Sequence, residues 1–156
     1  MVRAAQRGDP LAMNRLLREL GPVVGPICGA IALDQGDDAM QETMIAVVRN
    51  LKSLREPAAV FGWARRIATR EAVRVARQRA IPMDSIDTVA PGRAEDLVDI
   101  RDMLDRLQPE QRAILVLRDV AGMTEADAAA ALDVAPGTVK SRLFRARAAF
   151  RKGWEA

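Results

Sequence analysis

Hydrophobic side chains recur with helical spacing along most of the chain, and glycine and proline divide that pattern into segments. An aspartate with N-cap character, Asp9, is followed directly by proline and predicts the start of a helix with leucines on one face. The Gly-Pro pair at 21–22 is expected to end this helix. A second helix is predicted to begin near Pro26 and to end before Gly36.

Two longer amphipathic helices are predicted next. The first, in "DDAMQETMIAVVRNLKSL", opens with two acids that favour a helix N-terminus, and its apolar positions are Met40, Met44, Val47, Val48 and Leu51. The second follows the break at Pro57 and extends to about position 79, with a buried stripe of Phe61, Ala64, Ala68, Ala72 and Val75. Its other side is lined by four arginines, which are Arg66, Arg70, Arg74 and Arg77.

The segment 81–96, "IPMDSIDTVAPGRAED", has no sustained periodicity and predicts an extended linker. Because it offers little apolar surface, we expect it to be mobile in the free protein and ordered in a complex. A helix with apolar positions from Leu97 to Leu107 follows, and then another that begins at Pro109 and ends at Gly122. The pattern therefore predicts an all-α fold of two small helical bundles joined by a flexible linker.

The last part of the chain predicts a helix-turn-helix. Thr124 and Asp127 resemble a capping box that opens the short helix "TEADAAAAL". This helix is expected to stop near Asp133, a residue type that tolerates the left-handed backbone conformation, and Pro136 opens the final helix. A short helix, a tight turn and a basic helix in this order are typical of DNA-binding proteins.

The final helix, "GTVKSRLFRARAAFRK" at 137–152, carries six cationic residues and no acid. One face is apolar and predicted to be buried, through Val139, Leu143, Ala146 and Phe150. An acid-free run repels itself, which favours polyanion binding over the alternative of a merely solvated surface helix. The stripe expected to face the DNA major groove is Thr138, Ser141, Arg142 and Arg145, and the residues that can reach phosphates are Lys140, Arg147, Arg151 and Lys152.

Composition excludes several classes of function. The chain has no histidine and a single cysteine, Cys28, so it lacks an intramolecular disulfide and the usual ligands of metals, haem and iron-sulfur clusters. We expect no metal, no cofactor and no enzymatic activity, since no glycine-rich phosphate loop or nucleophile elbow occurs either. No apolar run approaches the roughly 18 residues of a bilayer span, which predicts a cytoplasmic protein without membrane insertion. The net charge is +3, but bases concentrate at 65–79 and 137–152, which predicts two separate basic surfaces.

The segment "LQPEQRAILVLRDVAGMTEADAAAALDVAPGTVKSRLFRARAAFRK" closely resembles domain four of bacterial sigma-70 factors, above all in "GTVKSRL". The N-terminal half resembles domain two of the same family through "GDDAMQET" and "FGWARRIA". The order of the two matches, and the short linker between them, resemble the extracytoplasmic-function (ECF) branch. The resemblance implies sigma domain two at 1–80, a linker at 81–96 and sigma domain four at 97–156.

A protein of this family would bind core RNA polymerase and direct it to promoter DNA, and an anti-sigma factor is an expected partner. The residues that match the polymerase clamp-binding positions are Asp38, Gln41 and Glu42. Domain two would contact the minus-ten element through Arg66, Arg70, Arg74 and Arg77. Arg70 and Arg74 stand where the family often has Asn and Asp, which favours phosphate contact there. Domain four would contact the minus-thirty-five element through Thr138, Lys140, Ser141, Arg142, Arg145 and Arg147.

Two other functions are compatible with the residues alone. A stand-alone helix-turn-helix regulator would dimerise and bind paired half-sites, but it needs no clamp-binding helix. An all-helical adaptor would bind protein partners and use its basic helices only for solubility. Association with core polymerase distinguishes the sigma factor from both alternatives.

Overall fold

The computed structural model describes residues 1–79 and 95–155, and every regular element in these two ranges is helical. The all-α fold is confirmed. Short turns of 3-10 helix follow α2 and α3 and precede α4. The eight α-helices are α1 (Val2–Gln6), α2 (Pro10–Ala32), α3 (Gly36–Asn50), α4 (Val60–Arg79), α5 (Glu95–Arg106), α6 (Pro109–Leu115), α7 (Glu125–Leu132) and α8 (Pro136–Glu155).

The prediction of two helices between positions 10 and 36 is wrong, because α2 runs through both prolines without a break. Pro22 and Pro26 lie four residues apart on the exposed face, where water can satisfy the carbonyl groups that lose their helical partner. The buried face continues uninterrupted through Leu20, Val24 and Ile27. Tertiary packing therefore outweighs the local signal for a break. The start of α2 is as predicted, since the Asp9 side chain accepts hydrogen bonds from the first backbone amides.

The N-terminal bundle consists of α1 to α4, and α2, α3 and α4 all pack against one another. The unpredicted helix α1 is tied to the end of α3, because the Gln6 side-chain amide donates to the carbonyl groups of Leu51 and Leu54. The predicted stripe of α3 is wrong in part. Val47 is fully buried, but Val48 is 45% exposed, and the inward position one turn before Val47 is Thr43. The helix α4 begins and ends as predicted, and its four arginines are exposed.

Cys28 lies inside the N-terminal bundle, with its sulfur 3.6 Å from the Thr43 hydroxyl. Burial raises the pKa of the Cys28 thiol, and the Thr43 hydrogen bond opposes that shift. A buried thiol with a raised pKa is a poor nucleophile. We therefore assign Cys28 to packing.

The C-terminal bundle consists of α5 to α8. The predicted helix from Pro109 towards Gly122 is α6, continued by a turn of π-helix at Val116–Val120. The predicted helix-turn-helix is present: the Thr124 hydroxyl accepts from the Asp127 amide, and Asp133 ends α7 in the left-handed conformation with φ 57° and ψ 47°. The small residues of α7, including Ala129, let α8 approach closely.

The two bundles pack against each other through α2 and α4 on one side and α6 and α7 on the other. Their buried side chains form one continuous core. The predicted linker 81–96, with its expected mobility, lies outside the described residues except for its last two positions, which begin α5.

One stretch within the described residues, Pro10–Ser53, is long and apolar enough to cross a membrane by composition, with a mean hydropathy of 1.5 in its best 18-residue window. The expectation that no segment approaches this length is therefore corrected, because α2 does not stop at its prolines. A core helix meets the same criterion, and α2 contributes seven buried side chains to the N-terminal bundle.

Candidate nucleic-acid interface

The apolar face of α8 packs onto the C-terminal bundle as predicted. Val139, Leu143 and Ala146 are buried, and Phe150 is half-buried. On the opposite side, Ser141 and Arg145 are exposed. The Ser141 hydroxyl donates to the carbonyl group of residue 138, so its hydrogen is held within the first turn of the helix. The helix-turn-helix thus presents polar and cationic side chains at the start of α8.

The cationic side chains of α8 differ in how they are held. Arg147 donates two hydrogen bonds to the carboxylate of Asp119, at 3.0 and 2.5 Å. Lys140 lies 3.9 Å from Glu125, which is a loose contact between exposed groups. Arg145 makes no ion pair with any described residue, so its guanidinium is available to a phosphate. Arg147 would have to share or release Asp119 to contact DNA.

The Asp119 to Arg147 pair makes stability depend on pH. The hydrogen bonds from Arg147 hold the pKa of Asp119 below its ordinary value of 3.8, against a smaller effect of burial. A carboxyl whose pKa is lowered by folding stabilises the protein above its ordinary pKa, and this contribution is lost as the pH falls through the lowered value.

Replacing Asp119 with asparagine is therefore expected to destabilise the protein at about pH 6 and to have little effect near pH 2. Urea unfolding across this range measures the difference between variant and parent. Asp102→Asn, at an exposed site without an ion pair among the described residues, is the control. A difference between Asp119→Asn and the parent that does not change with pH would show that the ion pair adds no stability.

The arginines of α4 divide into free and paired side chains. Arg66 and Arg70 are exposed and make no ion pair within the described ranges. Arg74 contacts Glu71 at 2.5 Å and Glu42 of α3 at 3.3 Å. The hydrogen bond to Glu71, with the charge of that carboxylate, raises the pKa of Arg74. Because both acids hold one guanidinium, Arg74 is less available to phosphate than its neighbours.

The acidic face of α3 lies beside these arginines. Asp38 and Gln41 are exposed, and Glu42 reaches across to Arg74. The residues expected to bind polymerase and those expected to contact the minus-ten element are therefore adjacent. A ligand bound to the acidic face of α3 would therefore change the electrostatic potential at the arginines of α4, and the reverse also holds.

The two basic segments meet in part, because packing of the bundles brings α4 and Arg142 of α8 to one cleft of about 580 Å³, and the other cationic residues of α8 are not part of its lining. One wall is α4, and the other is formed by Glu110, Leu132 and neighbouring residues. Arg77 makes an ion pair with Glu110 across the cleft. The arginines that line it are Arg70, Arg74, Arg77 and Arg142. Tertiary packing decides this arrangement, which helical periodicity does not encode.

Family comparisons identify the two bundles. Residues 31–81 match the family model for sigma-70 region 2, and residues 97–150 match the model for sigma-70 region 4. The chain belongs to the sigma-70 family. In this sigma-70 chain, α3 and α4 carry most of the region 2 match, and α5 to α8 carry the region 4 match.

Relatives of this sigma-70 chain belong to the ECF branch, as the sequence resemblance indicated. The ECF RNA polymerase sigma factor SigM of Mycobacterium tuberculosis is 39% identical over 121 residues, which are 74% of this chain. The match spans only 62% of the length of SigM. The ECF RNA polymerase sigma-E factor of Escherichia coli strain K12 is 28% identical over 171 aligned residues, covering 96% of this chain and 90% of the relative.

Solved structures of sigma factors share the fold. The complex of the sigma factor RpoE with the anti-sigma factor NepR from Bartonella quintana matches with a TM-score of 0.73 and 25% identity, over 92% of this chain and 96% of that chain. The structure of CnrH in complex with the cytosolic domain of CnrY matches with a TM-score of 0.70 and 21% identity, over 99% and 94% of the two chains. At 21% identity, the match to CnrH supports only a shared fold.

Sequence reasoning missed an arginine in region 4, Arg112. It is only 5% exposed, and its guanidinium donates to the carbonyl groups of Ile31 at 2.6 Å, Leu104 at 2.9 Å and Leu107 at 3.1 Å. Burial lowers the pKa of Arg112, opposed by the charge of Asp105. Arg112 directly precedes the apolar run "AILVL", and this position was the sequence feature that could have indicated its burial. The contact with Ile31 was not predictable, because that residue lies 81 positions away in the sequence.

An apolar groove of about 560 Å³ in region 4 was also missed. Its lining includes Ile100, Val120 and Trp154, which are 45%, 70% and 55% exposed. Arg147, its partner Asp119 and Arg151 are the charged residues of the lining. Exposed apolar side chains gathered in one groove are typical of a protein interaction surface.

Proposed function

We propose that the protein is a sigma factor that binds core RNA polymerase and directs transcription initiation at specific promoters. The observation that carries the proposal is a helix-turn-helix whose second helix, α8, is basic and free of acids over 137–152, inside the region 4 match, preceded by a region 2 match with its own basic helix, α4. One chain thus holds two nucleic-acid surfaces that suit two promoter elements. The protein has no catalytic activity of its own in this proposal and acts in the cytoplasm.

We propose that each bundle contacts a different promoter element. Residues 1–80 would act as sigma domain two, with the minus-ten element contacted by α4, and residues 97–156 as sigma domain four, with the minus-thirty-five element contacted by α8. Supporting this, α4 presents five exposed arginines and α8 presents five exposed cationic side chains. Residues 81–96 would form the linker between the two domains.

We also propose an anti-sigma partner. The sigma factor RpoE, which shares this fold, was solved in complex with the anti-sigma factor NepR, and CnrH was solved in complex with the cytosolic domain of CnrY. The exposed apolar groove supports a protein partner on region 4, because the apolar face of an amphipathic helix would complement it. The acidic face of α3 supports a second protein contact, which we assign to polymerase.

The proposal is tested by mixing the purified chain with core RNA polymerase and measuring complex formation and promoter-specific transcription. Charge reversal by Asp38→Lys is expected to weaken core binding about tenfold or more, since it places a cation on an acidic contact surface. The protein should stay folded, because Asp38 is exposed and makes no ion pair with a described residue. Glu42→Lys should also weaken binding, but it additionally removes a partner of Arg74.

Glu19→Arg is the control for these reversals, because Glu19 lies on the exposed side of α2 and, among the described residues, its one ion pair is with Arg15 of the same helix. Its affinity for core polymerase should equal that of the parent. Unchanged affinity in Asp38→Lys and Glu42→Lys would remove the α3 face from the polymerase site. If the chain does not bind core polymerase and instead binds paired half-sites as a dimer, it is a stand-alone regulator.

A further inference from the structure

One ion-pair network joins two surfaces of the N-terminal bundle. Arg74 of α4 donates from Nε and Nη2 to the Glu71 carboxylate of the same helix, at 3.0 and 2.5 Å. The same Nη2 also donates to Glu42 of α3, at 3.3 Å. Glu42 belongs to the face assigned to polymerase, and Arg74 belongs to the helix assigned to the minus-ten element. One guanidinium group therefore connects the two proposed binding surfaces.

The charges of this network disfavour a phosphate at Arg74. Two carboxylates surround one guanidinium, so the three side chains together carry one excess negative charge. Arg70, one turn earlier on α4, is exposed and makes no ion pair among the described residues. A phosphate is therefore attracted to Arg70 more strongly than to Arg74 while Glu42 stays in place.

A polar cleft of about 420 Å³ between α3 and α4 contains this network. Its lining includes all three residues expected to bind polymerase, which are Asp38, Gln41 and Glu42. Arg74 lines the same cleft from the α4 side. A polymerase side chain that binds these α3 residues therefore lies next to Arg74. If that side chain is a cation, it competes with Arg74 for the Glu42 carboxylate.

The ion pair between positions 42 and 74 depends on an unusual residue of this chain. Arg74 is one of the two arginines that stand where the sigma-70 family often has Asn and Asp. Asparagine carries no charge, and aspartate would be repelled by Glu42. A chain with either residue cannot hold Glu42 in this way. The contribution of the pair therefore belongs to this sequence and not to the fold.

We propose that Glu42 couples polymerase binding to DNA binding. In the free chain Glu42 holds Arg74. When a polymerase cation binds the Glu42 carboxylate, Arg74 keeps its pair with Glu71 and becomes a phosphate contact on the minus-ten side. The remaining pair is neutral, so it no longer repels phosphate. This inference rests on the proposed function for the identity of both partners.

The size and the sign of the coupling follow from the exposure and the charge of the pair. Arg74 and Glu42 are each about half exposed, and such ion pairs change an equilibrium constant by a factor of about two to five. Polymerase can release no more than the pair contributes, so this factor is the upper limit. The coupling is positive, because each ligand removes a competitor of the other. By linkage, DNA at Arg74 strengthens polymerase binding at Glu42 by the same factor.

The first measurement is the affinity of full-length variants for core RNA polymerase without DNA. Arg74→Gln should bind core about two to five times more tightly than the parent, because it frees Glu42. In a Glu42→Gln background, the same substitution should leave the affinity unchanged. Arg70→Gln is the matched control and should equal the parent, since it removes the same charge one turn away from a side chain without an ion pair. Circular dichroism verifies that all variants keep the helicity of the parent.

The second measurement is the affinity of the holoenzyme for a selected promoter at several salt concentrations. Arg74→Gln should reduce the salt slope by about 1, as the loss of one phosphate contact predicts. An unchanged slope would show that Arg74 does not contact DNA in the holoenzyme and would overturn the inference.

The core-binding measurement separates the inference from the proposed function. An Arg74→Gln chain that binds core no more tightly than the parent would overturn the inference. An equal gain with and without Glu42 would do the same, because Arg74 would then act on polymerase independently of Glu42. In both cases the parent still binds core, and the proposed function stands. A parent chain that does not bind core would contradict the proposed function and the inference together.

Discussion

Replacing Arg112 with methionine is expected to lower the free energy of unfolding by about 3 kcal/mol, as the loss of charge-assisted hydrogen bonds in a buried site predicts. The guanidinium lies where two helix ends converge. Ile31 is in the last turn of α2, Leu104 is in the last turn of α5, and Leu107 directly follows that helix. The final carbonyl groups of a helix have no partner within it, and a cation suits the negative end of the helix dipole. Methionine would fill the space but leave these acceptors unpaired.

Urea and thermal unfolding measure this effect. Arg112→Lys should recover only part of the loss, because an ammonium group cannot reproduce the planar fork that reaches acceptors on two sides. Arg106→Met, at an exposed site on α5, is the matched control and should change stability by no more than about 0.5 kcal/mol. Equal stability of Arg112→Met and the parent would mean that the buried charge contributes no net stabilisation, as is known for some buried ion pairs.

Arg142→Ala and Arg151→Ala are expected to impair promoter binding in different ways. Arg142 lies in the first turns of α8, where a side chain can reach base edges in the major groove and bind guanine with two hydrogen bonds. Its loss should cost about 1 to 3 kcal/mol on the preferred minus-thirty-five sequence and little on unrelated DNA. Arg151 is exposed more than two turns further along the helix and can contact only phosphate. Its loss should weaken all sequences alike and reduce the salt slope by about 1.

The measurement is the affinity of the polymerase holoenzyme for a selected promoter and for the same promoter with a scrambled minus-thirty-five element, at several salt concentrations. The holoenzyme is used because Arg142 lines the cleft beside α4 in this structure, so the isolated chain is a poor substrate for a promoter-binding measurement. If both variants lost the same affinity on both DNAs, α8 would bind DNA electrostatically and without sequence preference.

The sequence alone determined the helical class, most helix boundaries and the family. The reason is that these properties are local: the caps at Asp9 and Thr124, the left-handed Asp133 and the 3.6-residue period each act within a few residues. The buried and exposed faces of α8 follow from the same period. Families are recognisable from sequence for a related reason, since motifs such as "GTVKSRL" are contiguous.

Only the tertiary structure decided which surfaces meet. Helix α2 passes through Pro22 and Pro26 because its opposite face is held by α3 and α4, a stabilisation that no local signal for a break includes. The shared cleft of α4 and α8, the pairing of Arg147 with Asp119 and the burial of Arg112 all join residues far apart in the chain. Periodicity specifies which side of a helix is apolar, but it does not specify which helix will cover that side. That choice is made by packing and charge across the whole molecule.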